Sequence, residues 1–328
     1  MQLAIVGATG EVGRMMLKVL EERELSIDEL FLYASEKSAG TLLKYRGEDF
    51  EVRKLTQQAM QQSYDYLLFS AGKQVSLEYA PIAETKGNTI IDNSSAFRRT
   101  HPLIVPEING DLLKKYQGII ANPNCSTIQL VLAVYPMHMH YELDEVVIST
   151  YQSVSGAGNR GIKALQGERA GDKWVSTESP FSREIDLNVI PQIGQFDETG
   201  YCEEEQKMIF EIRKILNIPT LKVAVTTVRV PVLYGHAESV FVRFKEMIEV
   251  DEITPLFNSI GALKYYPKDL ITPKEIGNSE LSHIARVRKG VDDHSLLFWN
   301  VAHNVRLGAA TNAVKIMEHL IALRETSE

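Results

Sequence analysis

Over its first third the chain alternates short apolar runs with amphipathic ones. LAIVG (3–7) reads as a buried strand. EVGRMMLKVLEER (11–23) carries Val12, Met15, Met16, Val19 and Leu20 at helical spacing. LFLYAS (30–35), YDYLLFSAG (64–72) and NTIIDNSS (88–95) read as further strands. Strands separated by helical stretches predict a parallel sheet with helices on both faces.

After about residue 143 the pattern changes. DEVVISTYQSVSG (144–156), TLKVAVTTVRVPVLYG (220–235) and ESVFVRFKE (238–246) are long β-rich runs with fewer helices between them. They predict an α+β domain with an open mixed sheet, mostly antiparallel. NVRLGAATNAVKIMEHLIALRE (304–325) is helical again and is expected to return to the first domain. The predicted division is residues 1–125 with 304–328, and residues 126–303. Open sheets tend to be covered, so the second domain is expected to supply an interface between copies.

A length of 328 residues fits two domains. With 44% hydrophobic and 24% charged residues, the composition is that of a soluble globular protein. The net charge of −8, without any Lys/Arg block, argues against nucleic acid as a partner. Two cysteines, Cys125 and Cys202, exclude a disulfide framework and a Cys-rich metal site. No apolar stretch approaches the length of a membrane span and no basic leader precedes LAIV, so a cytoplasmic protein is expected.

GATGEVG (7–13) follows a strand and opens a helix, the context a phosphate loop requires. Gly7 permits the tight turn and Gly10 a close backbone approach, with Gly13 completing the motif. The helix N-terminus then offers N–H groups to a pyrophosphate. This makes the first domain a Rossmann-type dinucleotide-binding domain. An NAD site usually ends the second strand with an acid for the ribose diol. Here the strand runs into YASEKSAG, where Ser35, Lys37 and Ser38 suit a 2′-phosphate. NADP is therefore the favoured cofactor, with Glu36 as a dissenting charge.

A lone cysteine is most often a small buried hydrophobe, and Cys202 in GYCEEEQK is read so. Cys125 differs in its surroundings. It lies between an Asn-Pro-Asn turn and Ser126-Thr127, which open the apolar run IQLVLAVY. A thiol at a helix N-terminus feels the positive end of the dipole, which favours the thiolate. The same N–H groups can hold a developing oxyanion. A dinucleotide loop with such a cysteine suggests aldehyde oxidation through a thioester. That chemistry needs a proton carrier. His236 stands out among eight histidines because it follows a long strand and a break at Pro231 and Gly235. Arg229 lies seven residues earlier. On a regular strand the two would face opposite ways, and the break leaves their relation open.

Taken together, GATGEVG, ASEKSAG, DNSSAFR, PNCST, YQSVSGAG, NVIPQIGQF, RVPVLYGHAE and GAATNAV make the chain resemble the aspartate-semialdehyde dehydrogenase family, bacterial branch, essentially end to end. The resemblance implies a reversible reaction in which L-aspartate 4-semialdehyde, NADP⁺ and inorganic phosphate give L-4-aspartyl phosphate and NADPH. That reaction serves lysine, threonine, methionine and diaminopimelate synthesis. It also implies roles for particular residues. Cys125 would be the nucleophile, His236 the general acid/base, and Gln152 would orient the reacting groups. Arg229 would clamp the substrate carboxylate and Glu204 would meet its ammonium, with Asn124 also at the substrate. Arg98 and Lys207 would bind phosphate. Thr9, Gly10, Glu11, Val12, Lys37, Ser38, Ser155, Gly156 and Asn304 match positions near NADP.

By physics alone, Glu204 and Lys207 are an ordinary helical salt-bridge pair, Arg98 is a surface arginine, and YQSVSGAG is a strand ending in a flexible turn. Two positions depart from the family. His303 stands where an Asp is common, and Glu36 sits inside the expected 2′-phosphate loop. The competing readings are a related acyl-phosphate reductase with another semialdehyde, and a non-catalytic nucleotide-binding relative. Retention of both Cys125 and His236 argues against the second. The family is commonly dimeric or tetrameric, so a homo-oligomer is expected. No metal is implied.

Overall fold

The computed structural model describes residues 1–175 and 177–326; Ser176, Ser327 and Glu328 lie outside the described residues. In chain order the elements begin with β1 (Gln2–Val6), α1 (Glu11–Glu22), β2 (Glu29–Ala34), β3 (Leu42–Tyr45), β4 (Glu48–Lys54), α2 (Gln57–Met60), β5 (Tyr66–Phe69), α3 (Lys73–Glu84), β6 (Thr89–Asp92), α4 (Pro106–Asn109) and β7 (Ile119–Ala121). They continue with α5 (Cys125–His138), β8 (Leu143–Gln152), α6 (Gly158–Ala170), α7 (Glu203–Leu216), β9 (Lys222–Arg229), β10 (His236–Phe244), α8 (Val250–Leu256), β11 (Leu263–Tyr266), β12 (Ser282–Lys289) and β13 (Ser295–Ala302). The last is α9 (Asn312–Glu325). The chain separates into two compact units, Met1–Asn124 with Ala309–Glu328, and Cys125–Gly308.

Among the described residues, the first unit holds a seven-stranded sheet in the order β3-β4-β2-β1-β5-β6-β7. All its pairs are parallel except β3 with β4. The central strands are apolar throughout because a parallel sheet is buried on both faces: Leu3 to Val6 and Leu67 to Phe69 are inaccessible to solvent. Helix α9 joins this core through Ala313, Val314, Ile316, Met317 and Leu320, as the helical spacing of 304–325 predicts. Its first part differs: Arg306–Thr311 winds as a π-helix before the α-helix begins. The β3–β4 hairpin is absent from the strand pattern read along the sequence. It turns at Arg46 and Gly47, both at positive φ, the geometry of a two-residue hairpin turn.

The second unit holds a six-stranded mixed sheet, β11-β12-β13-β10-β8-β9, among the described residues. Its inner pairs are antiparallel, while β11–β12 and β8–β9 are parallel. Helix α5 is apolar almost all round, with Ser126 to Val134 buried, and lies against β8, β12, β13 and α7. The opposite face of the sheet is open, exposing Val147 and Tyr151 of β8. No helix among the described residues is long and apolar enough to cross a membrane.

In the first unit, the loop between β1 and α1 divides work among its glycines. Gly7 has φ +86° and lies against the backbone of Ser70 and Ala71, where a Cβ would come within 2.8 Å. Gly13 packs the first turn of α1 onto the loop; a Cβ there would stand 2.7 Å from Ala8 Cα. Around Gly10 the nearest atom is the Gly7 carbonyl at 3.4 Å, so the protein itself does not fill that side. Gly7→Ala and Gly13→Ala are each expected to cost at least about 2 kcal/mol in urea unfolding, and Gly10→Ala less than about 1 kcal/mol. Equal costs at all three positions would contradict this division.

Candidate active site

The second unit holds Cys125, His236, Gln152, Arg229, Glu204 and Lys207 among the residues singled out in the sequence. Cys125 is the first residue of α5, so its thiol sits at the positive end of the helix dipole. It is partly accessible and in no disulfide. Gly308 lets another stretch of backbone pass closely: a Cβ there would meet Cys125 Cβ at 2.5 Å and Cα at 2.9 Å.

The strand order answers how Arg229 and His236 can meet. Arg229 ends β9 and His236 begins β10, and these strands flank β8 on opposite sides. Both side chains turn toward the segment that follows β8. Gly156 lies between them: a Cβ there would stand 2.7 Å from Arg229 Nη1 and 3.4 Å from His236 Cε1 and Nε2.

Ser153 ties the two together, a role the sequence reading missed. Its N–H donates to His236 Nδ1 at 3.0 Å, and its carbonyl accepts from Arg229 Nη1 at 2.6 Å. With Nδ1 accepting, the neutral ring is inferred to carry its proton on Nε2. His236 is fully buried, and its Nε2 has no hydrogen-bond partner among the described residues. Burial first, and then the Arg229 cation, hold its pKa down at about 3. At neutral pH the ring is therefore uncharged and presents one unsatisfied donor.

Arg229 is itself buried, at 5% exposure, over the face of Phe181 at 5.8 Å. Burial lowers its pKa, while attraction to Glu204 and to Cys125 works in the other direction. The same attraction favours the thiolate form of Cys125.

Glu204 shows how far the tertiary setting can change a helical acid. Three acids open α7. Glu205 Oε2 accepts from Cys202 N at 2.9 Å, and its Oε1 accepts from Thr227 N at 2.9 Å, so it caps the helix. Glu204 instead accepts from Gln152 Nε2 at 3.1 Å and pairs with Lys207 at 3.3 Å. Glu204 is 6% exposed, so this pair is not the solvated one that spacing alone suggests. Gln152 is held in turn by Thr150 Oγ1, which donates to its Oε1 at 3.0 Å. Ser155 receives a hydrogen bond from Asn304 Nδ2 at 2.9 Å, and Asn304 Oδ1 accepts from Gly235 N at 2.9 Å. His303 is buried and its ring lies 5.5 Å from that of Tyr234. Cys202 is buried beside Thr227, as a core thiol.

The remaining candidates belong to the first unit. The glycine loop runs from β1 into α1, whose N-cap is Gly10. Its first-turn N–H groups, on Glu11, Val12 and Gly13, have no carbonyl within the helix to bond. Together with the unfilled side of Gly10, this fits a dinucleotide pyrophosphate. Ser35, Lys37 and Ser38 sit at the end of β2, in a short 3₁₀ turn. Glu36 is exposed there and pairs with Lys54 at 3.0 Å, which offsets its charge. Arg98 is buried, not on the surface, and its Nη2 donates to the Asn93 carbonyl at 3.1 Å. Asn124 is buried at the end of this unit.

Comparison with known proteins agrees with this arrangement. Residues 2–116 match the family model "Semialdehyde dehydrogenase, NAD binding domain", and residues 134–307 match "Semialdehyde dehydrogenase, dimerisation domain". Fold and matched domains define the class: an oxidoreductase with an NAD(P)-binding Rossmann-type domain and a dimerisation domain. Aspartate-semialdehyde dehydrogenase 2 of Vibrio cholerae is 42% identical, over 97% of each chain. Aspartate-semialdehyde dehydrogenase of Aquifex aeolicus is 43% identical, over 98% of each. The crystal structure of the Vibrio cholerae enzyme II superposes with a TM-score of 0.93 at 41% identity, covering 98% of each chain, and a second structure of it is complexed with ASA. The chain belongs to the aspartate-semialdehyde dehydrogenase family.

Two measurements test the site geometry. Gly156→Ala pushes a methyl group against Arg229 and His236, so kcat/KM is expected to fall at least about 10-fold while the fold persists. An unchanged kcat/KM would separate this glycine from the site. The second concerns pH. The folded-state pKa of His236 lies below its unfolded value, so its contribution to stability is present above about pH 6.5 and is lost as pH falls toward about 3. His236→Gln is expected to flatten the acid slope of unfolding free energy by up to about 1.4 kcal/mol per pH unit in that window. Parallel slopes for the two proteins would mean that the histidine is not buried neutral.

Proposed function

We propose that the chain catalyses the reversible oxidation of L-aspartate 4-semialdehyde to L-4-aspartyl phosphate, with NADP and inorganic phosphate, through a thioester on Cys125. The observation that carries this reading is the buried, partnerless Nε2 of His236, in a site where the Arg229 cation acts on a helix-tip thiol. Cys125 thiolate attacks the aldehyde carbon and forms the C–S bond. The carbonyl oxygen becomes negative, and His236 Nε2–H donates to it, together with the α5 N–H groups. NADP supplies the hydride acceptor. Phosphate then attacks the thioester carbonyl, the C–S bond breaks, and Cys125 leaves as thiolate. One proton is released overall.

The remaining groups bind and orient. Arg229 meets the substrate carboxylate with the donors that Ser153 leaves to it. Glu204 receives the substrate ammonium, and Gln152 fixes its carboxylate. Lys207 and Arg98 are the cations proposed for phosphate. Ser35, Lys37 and Ser38 favour NADP over NAD. The product would feed synthesis of lysine, threonine, methionine and diaminopimelate, in the cytoplasm.

A homodimer is the proposed assembly. The open face of the second sheet carries Val147 and Tyr151, exposed to 40% and 36%, with Tyr151 packed on Trp299 at 5.5 Å. An exposed apolar face of this kind fits a surface that another copy covers.

The decisive assay is reduction of NADP⁺ by aspartate semialdehyde with and without phosphate, with NAD⁺ run beside it. A phosphate-dependent rate with NADP⁺ is expected; a phosphate-independent rate would rule out the acyl-phosphate route. Cys125→Ala should lower turnover by ~10³-fold or more while NADPH still binds. Substantial residual turnover would remove Cys125 as nucleophile. Tyr151→Asp should convert the dimer to monomer in sedimentation, and an unaltered dimer would exclude this face.

A further inference from the structure

Behind Cys125 and His236 lies a second polar layer that the reaction above leaves unused. Gln129 stands one turn along α5 from Cys125, on the same helix face. Glu238 stands two residues along β10 from His236, on the same side of the sheet. Both are completely buried. Asn300 of β13 is the registered neighbour of Glu238, and its Nδ2 donates both to Glu238 Oε2 and to the Gln129 main-chain carbonyl, each at 3.0 Å. Ser282 of β12 donates to Asn300 Oδ1 at 2.6 Å and approaches the same carbonyl at 3.3 Å. The Gln129 amide adjoins the Glu238 carboxyl. Neither Glu238 Oε1 nor the amide atoms of Gln129 have another hydrogen-bond partner among the described residues.

The side chains that face Glu238 are neutral: Asn300 from β13, Thr150 from β8 and Gln129 from α5. The nearest titratable group on its own strand, His236, is itself uncharged at neutral pH. A carboxylate here would be a buried charge without a counter-ion. A carboxylic acid avoids that charge and keeps both oxygens of Glu238 paired: Oε2 accepts from Asn300, and an O–H on Oε1 donates to the Gln129 amide oxygen. We infer that Glu238 is a positioning residue that carries its proton in the working enzyme and braces the helix of Cys125 against the strand of His236. Burial holds its pKa up at about 8, so the brace is intact at neutral pH and opens as the solution becomes alkaline. The inference rests on Cys125 and His236 being the reacting pair.

The test uses the full-length enzyme, the isosteric variant Glu238→Gln and the truncating variant Glu238→Leu. Infrared difference spectra between native enzyme and Glu238→Gln are expected to contain a protonated-carboxyl band at neutral pH that disappears above pH 8. The kcat of the native enzyme is expected to fall on the alkaline side with a midpoint near pH 8, and Glu238→Gln to lose that limb while keeping kcat within about threefold at pH 7. Glu238→Leu should lose about 10-fold or more in kcat with an unchanged KM, because the reacting groups are displaced and substrate binding is not. Absence of the carboxyl band, an identical alkaline limb in Glu238→Gln, or native kcat in Glu238→Leu would each overturn the inference. If Glu238→Leu fails to fold, the infrared and pH measurements decide it. Alkylation of Cys125 separates the two readings. Loss of turnover on alkylation with no carboxyl band overturns the Glu238 assignment alone, whereas full turnover after alkylation overturns the reacting pair and the inference built on it.

Discussion

The backbone of one residue holds two of the candidate site side chains. The N–H of Ser153 donates to His236 Nδ1, and its carbonyl accepts from Arg229 Nη1. A backbone group cannot drift as a side chain can, so the ring orientation and the guanidinium position follow from where β8 ends. Because Nδ1 is committed, the proton of the neutral ring lies on Nε2, and the histidine is a donor before any substrate arrives. The residues around it serve this arrangement: Gly156 leaves room, Asn304 fixes Ser155 and Gly235, and Gln152 holds Glu204.

The electrostatics of the site follow from burial. Arg229 and Glu204 are nearly inaccessible and lie in one cluster with His236, where the guanidinium disfavours a second cation. Arg229 and the dipole of α5 instead favour negative charge at Cys125. The Arg229 cation thus attracts negative charge at the thiol and disfavours positive charge at the imidazole. Such a cluster is costly to bury, and each hydrogen bond that satisfies it also fixes its geometry.

Much of the fold is legible in the chain. The alternation of apolar and amphipathic runs before residue 143 yields the parallel sheet, and the glycine motif stands where strand meets helix. The hairpin at residues 42–54 is not legible in the same way, since Arg46 adopts positive φ without being Gly, Asn or Asp. At the site, Cys125 and His236 carry local signals: a turn before an apolar helix, and a break between strands. Glu204 and Arg98 carry none, because spacing and composition describe a surface helix pair and a surface arginine, and only packing buries them.

The sequence by itself determined the class of fold, the glycine loop between strand and helix, the helix-tip thiol and the family, because these depend on periodicity and on short contiguous motifs. Tertiary structure decided which residues far apart in the chain share one pocket of charge. Arg229 and His236 converge only because β9 and β10 flank β8, Glu204 turns inward only because α7 packs on α5, and Ser153 becomes the hinge of the site only because both strands end beside it. Strand order is set by the summed burial of whole faces, and no local stretch of residues encodes it.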